Sequence, residues 1–129
     1  MTIELKMLSW SILLGLAHVL IAATMATRQR GLLWNAGNRD GEPKPLTGAA
    51  ARAGRASHNF LETFGFFAAA VLAVGLARRN THATALGTEL YFWARLLYLP
   101  VYIVGIPYLR TLVWAVSLWG LLQVAAALF

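Results

Sequence analysis

Long apolar runs separated by short polar breaks give this chain its plan. Residues 7–27 carry no Asp, Glu, Lys or Arg, and about twenty apolar residues suffice to cross the hydrocarbon core of a bilayer. A second charge-free run covers 63–77, and a third follows Arg110 to the end of the sequence. The pattern predicts four long helices, over about 5–28, 50–77, 82–106 and 109–129. Between the first two, at about 29–49, Asn35, Gly37, Asn38, Asp40, Gly41, Pro43, Pro45 and Gly48 supply turn formers and polar groups, which predicts a long loop. The polar turn at 78–81 makes the third helix antiparallel to the second, and Gly105 with Pro107 closes it before the fourth. Pro100 falls inside the third helix and removes one backbone donor there.

Composition places these helices in lipid. The chain of 129 residues is 59% hydrophobic and only 12% charged, with a mean hydropathy of +0.61, a poor composition for a soluble globule. The expected class is therefore all-α, an integral membrane four-helix bundle forming one domain over 1–129. The first apolar run is not a signal peptide by its flanks, because Arg28 and Arg30 follow it instead of preceding it. With no cysteine, the chain forms no disulfide, thiolate metal site or cysteine nucleophile. Thiol chemistry would need a thiol brought by the substrate. The net charge of +6 lies mostly beside apolar runs, which fits membrane orientation and attraction for anions better than nucleic-acid binding. Arg28, Arg30, Arg39, Lys44, Arg52, Arg55 and Arg110 gather on one side, against Lys6, Arg78 and Arg79 on the other. By the excess of basic residues the long loop is expected to be cytoplasmic and both termini to lie on the opposite side, periplasmic if the source is bacterial.

Two polar stripes interrupt the apolar helices. Arg52, Arg55, Asn59 and Glu62 recur at steps of three and four on the second helix, so they share a face. Tyr91, Arg95, Tyr98 and Tyr102 do the same on the third. Ionised groups in lipid must face protein, water or a ligand. Both stripes, and Glu89 with them, are therefore expected to turn inward or toward a neighbouring subunit, with Glu62 and Arg95 as a buried ion pair. Arg52, Arg55 and Arg110 offer bidentate guanidinium groups for a carboxylate. An arginine beside a bound thiol also favours the thiolate, its reactive form. A pocket for a small anionic ligand follows from these groups. His18, inside the first run, is expected to be hydrogen-bonded within the bundle, and Gly65 and Gly75 to allow close helix contacts. His58 and Glu62, one turn apart, have no further ligands with which to hold a metal, and none is expected.

The motifs resemble those of the membrane-associated proteins in eicosanoid and glutathione metabolism, the MAPEG family, in a bacterial-type form. Arg55, Ala56, Asn59 and Glu62, preceded by Arg52, match its second-helix signature, and Ala94, Arg95, Tyr98 and Tyr102 match its third-helix pattern. The resemblance implies a homotrimer in membrane lipid with glutathione, as co-substrate, held near the cytoplasmic side. Substrate-binding roles would fall to Arg52, Arg55, Asn59, Glu62, Arg95, Tyr98 and Tyr102, and thiolate stabilisation to Arg110. Thr63 stands where leukotriene-forming members have a tyrosine, and Ala51 where some members have an acidic residue. The implied activity is accordingly a general glutathione transferase or peroxidase acting on lipophilic small molecules. Two alternatives are a non-catalytic accessory subunit on the same scaffold and a proton or ion pathway through Glu62, Glu89 and Arg95.

Overall fold

The computed structural model describes residues 1–129. It is all-helical: α1 (Ile3–Arg30), α2 (Leu32–Ala36), α3 (Gly48–Leu76), α4 (His82–Val104) and α5 (Pro107–Ala126). Four helices are long, as the apolar runs predict. The short α2 was hidden inside the expected loop. Its sequence LLWNA has no buried residue, so no burial pattern marks it.

Local chemistry sets the ends. The Thr2 hydroxyl accepts from the Leu5 N–H at 3.2 Å and starts α1. Thr81 and Thr84 form a reciprocal capping box at the start of α4. Gly105, at φ 93°, adopts the left-handed conformation that ends α4 two residues before the predicted limit. Pro107 then opens α5, where a missing N–H removes no helical bond.

The helices α1, α3 and α5 are long and apolar enough to cross a membrane, and they mark an integral membrane protein. Helix α4 does not meet that measure, since Glu89, Arg95, three tyrosines and two threonines lower its apolar content. It is also the helix most enclosed by the others, packing against α1, α3 and α5. The segment least suited to lipid thus sits where protein replaces lipid.

One core cluster joins Leu8 of α1, Phe67, Val71 and Val74 of α3, Tyr91 of α4, and Leu121 and Val124 of α5. Within it Phe67 and Tyr91 stack with ring centroids 3.9 Å apart. A smaller cluster around Ala56, Tyr98, Leu99 and Tyr102 lies toward the other end. The close helix approach is at α4 and α5: a Cβ on Gly120 would stand 2.4 Å from the Gly87 carbonyl oxygen, and one on Gly87 would stand 2.7 Å from that of Gly120. Gly65 and Gly75, expected to make such contacts, would have nothing within 4 Å of a Cβ. Both lie on the outward face of α3, so their small size serves no packing inside the chain.

An unforeseen buried carboxylate fixes the N-terminal end. Glu4 is buried, and its Oε1 accepts from the Thr84 hydroxyl at 2.6 Å, tying α1 to the first turn of α4.

Candidate functional site

The basic end of the bundle holds a cavity of about 650 Å³ between α3, α4 and α5, bordered by Arg30 and Leu46 from the two ends of the long loop. Those ends are pinned. Gln29 donates to the Thr47 carbonyl and accepts from the Thr47 N–H, both at 3.0 Å, while Arg30 Nε donates to the Lys44 carbonyl at 2.8 Å. The Asn35 amide also donates to the Thr27 hydroxyl. The loop is therefore fastened beside the cavity by bonds that do not involve a ligand.

From α3 the cavity receives Arg55, Asn59 and Glu62, from α4 Tyr98 and Tyr102, and from α5 Arg110. The spacing puts the α3 residues along one helix face, and Tyr98 and Tyr102 meet edge to face with centroids 5.4 Å apart. Arg55 Nε donates to the Tyr102 hydroxyl oxygen at 3.2 Å. That leaves the phenolic O–H of Tyr102 as a donor. The Arg110 guanidinium lies 4.8 Å from the centroid of the same ring, a cation–π distance, and donates to no protein acceptor. Its five N–H groups remain available to a ligand.

Two arginines of the expected set do not line the cavity. Arg52 Nε donates to the Ile103 carbonyl at 2.8 Å and packs over Gly105, closing the C-terminal end of α4. Arg95 is wholly buried, inside the rings of Phe60, Tyr91 and Tyr98 at 5.1–5.9 Å. It donates to Asn59 Oδ1 at 2.7 Å and to the Thr63 hydroxyl at 2.8 Å.

The expected Glu62–Arg95 ion pair does not form. Glu62 turns outward to His58, with 3.3 Å between Oε1 and Nε2. Neutral oxygens replace it around Arg95, because Asn59 and Thr63 sit on the side of α3 that faces α4. This arrangement has a chemical consequence for Asn59. A guanidinium only donates, so it takes the amide oxygen and leaves the Asn59 NH₂ group as the part that can serve the cavity.

Histidine 18 is buried as expected but lacks the expected hydrogen bond. Both ring nitrogens are unpartnered, and the ring stacks on Phe60 at 4.8 Å. Gly15 leaves room for that Phe60 ring, since a Cβ there would stand 2.9 Å from it. Glu89, also expected inward, is half-buried between α4 and α5 instead.

Sequence reasoning missed several lining groups: Arg30, Ala51, Gly54, His58, Thr111 and Trp114. His58 did carry a signal. It lies between Arg55 and Glu62 on their own helix face, yet the linear pattern offers it only as half of an incomplete metal site with Glu62. Gly54 and Ala51 open space rather than supply chemistry, and Trp114 follows Arg110 by one turn.

The fold and site thus define a helical membrane bundle with a cationic, tyrosine-walled cavity at its basic end. The chain belongs to the MAPEG family, whose family model it matches over residues 7–129. Many members of that family are glutathione transferases or peroxidases. No curated protein and no solved structure matches the chain.

Proposed function

We propose that the protein is a membrane glutathione transferase or glutathione-dependent peroxidase, working as a homotrimer in a bacterial inner membrane with the long loop cytoplasmic. The observation that carries this reading is the convergence of Arg55, Asn59, Glu62, Tyr98, Tyr102 and Arg110 on one cavity. Glutathione brings two carboxylates, one ammonium group and a thiol. Arg55 and Arg110 suit the carboxylates, the free Asn59 amide adds a donor, and Glu62 suits the ammonium.

The thiolate is the nucleophile in this scheme. Arg110 favours it over the thiol by its positive charge, and the Tyr98 and Tyr102 hydroxyls are donors near the same region. In transfer, the sulfur forms a bond to an electrophilic carbon of a lipophilic substrate, whose leaving group departs with the electron pair. In the peroxidase reaction, the sulfur attacks the outer oxygen of a hydroperoxide, and the alcohol leaves. A second glutathione then converts the resulting sulfenic acid to the disulfide with release of water. The protein contributes position and charge. Arg95 and Arg52 act at one remove: Arg95 holds Asn59, and Arg52 holds the end of α4 beneath Tyr102.

The test is the ultraviolet thiolate difference spectrum of the purified protein titrated with glutathione. The wild type is expected to show saturable thiolate formation, and Arg110→Ala to lose about tenfold of the thiolate fraction at a given pH, the equivalent of one pKa unit. Thiolate formation equal in the two proteins would refute the role of Arg110. Absence of any signal from the intact wild type would refute glutathione as the thiol.

A further inference from the structure

Glu89 is an anomaly on α4. Eight residues past the Thr81 cap, it lies ~12 Å along the helix at ~1.5 Å per residue, well away from the helix end. It is half-buried, no donor of the chain bonds to it, and no Lys, Arg or His lies within ion-pair distance. An ionisable side chain at such a position is expensive in lipid and marks a functional site, with a partner to be named.

The surroundings limit that partner. Glu89 lines an apolar groove of about 450 Å³ between α4 and α5, whose walls include Leu90, Leu97, Leu112 and Val116. Trp93, one turn further along α4 and half-exposed, lines the same groove. A carboxylate and an indole one turn apart on one groove supply the groups for ion pairing and cation–π attraction to one positive centre. Beyond them the groove offers only hydrocarbon. No basic residue lines it, so the phosphate of a zwitterionic phospholipid would find no partner there.

We propose that Glu89 and Trp93 form a binding site for an amphiphilic organic cation, an ammonium group carrying a hydrocarbon chain, which enters the α4–α5 groove sideways from the bilayer. The ammonium sits between the carboxylate and the indole, and the chain lies along Leu97 and Leu112. The site is separate from the cavity at the basic end, with which it shares no lining residue. It is independent of the thiol reading.

Equilibrium dialysis of the purified full-length protein in dodecyl maltoside tests the site with two probes of equal chain length. One is dodecyltrimethylammonium and the other is dodecyldimethylamine oxide, which carries no net charge at pH 8. The wild type is expected to bind the ammonium saturably and at least tenfold more tightly than the amine oxide. Glu89→Gln should abolish that preference, Glu89→Asp should keep most of it, and Trp93→Leu should weaken the ammonium severalfold. Equal binding of the two probes by the wild type, or no saturable binding, overturns the proposal without any variant. So does an unchanged preference in Glu89→Gln. Dissociation of an oligomer by Glu89→Gln would assign the carboxylate to a contact between copies and refute the site.

Discussion

Arg95 and Glu89 are two charges on one helix with opposite solutions to the same problem. Arg95 is wholly buried and bonded to Asn59 and Thr63 within three aromatic rings. Glu89, six residues earlier, has no partner and borders an apolar groove. At 3.6 residues per turn these positions point ~120° apart, so one helix could not send both inward to the same place. The difference teaches that a charge in a membrane helix specifies only that something must meet it. Here protein meets the arginine, and the carboxylate is left for a partner from outside.

Several measurements sharpen or break that contrast. The largest effect is expected from Arg95→Met, which removes the donor from the half-buried Asn59 amide oxygen and one of two partners from the Thr63 hydroxyl, which keeps Tyr91, at about 1–3 kcal/mol for a group left unsatisfied. Denaturant unfolding in detergent should show the loss, and the thiolate signal should fall with it as Asn59 loses its hold. A variant as stable as the wild type would show that the network around Arg95 does not support α3 and α4. Gly120→Ala should come next, at about 1–3 kcal/mol, because its methyl group would overlap the Gly87 carbonyl and the Tyr91 nitrogen. The companion change Gly65→Ala meets nothing within the chain. Its effect, if any, should appear in oligomer size on gel filtration and not in monomer packing.

Thr84→Val tests the second buried charge. Glu4 would lose its 2.6 Å hydroxyl donor, with a loss of about 1.5–3 kcal/mol for a hydrogen bond to a charged group. Thermal unfolding followed by circular dichroism reads this together with the loss of the Thr84 side of the capping box, and an unchanged midpoint would make both contacts dispensable. The smallest effect is expected at Glu89. Glu89→Gln breaks no internal bond, so its stability should stay within about 0.5 kcal/mol of the wild type. If Arg95→Met and Glu89→Gln proved equally damaging, the contrast between the two sites would fail.

Much of the candidate site was legible before folding. The three- and four-residue spacing of Arg55, Asn59 and Glu62, and of Tyr98 and Tyr102, identifies residues that share a helix face, and these line one cavity. Which face of α3 meets α4 was not legible. Asn59 and Glu62 are neighbours on the stripe, yet a modest rotation of the helix decides that Asn59 receives Arg95 while Glu62 reaches His58. Long-range assignments failed for the same reason. The Glu62–Arg95 pair was inferred from depth and charge, and hydrogen-bond geometry with neutral oxygens satisfied Arg95 instead. The partner of Glu4 lies at Thr84, a separation no local pattern can indicate.

The sequence by itself determined the four long helices, the membrane character of three of them, the family and the polar groups available to a site. These depend on apolar length, on turn chemistry and on residues one helical turn apart, all of which act locally along the chain. Only the tertiary structure decided that Gly87 and Gly120, rather than Gly65 and Gly75, form the close contact, and that Arg52 and Arg95 serve other side chains and backbone instead of lining the cavity. Those outcomes depend on how each helix is rotated about its axis and which neighbour it meets. Packing among all four long helices sets that rotation together, and no single helix contains enough information to set it alone.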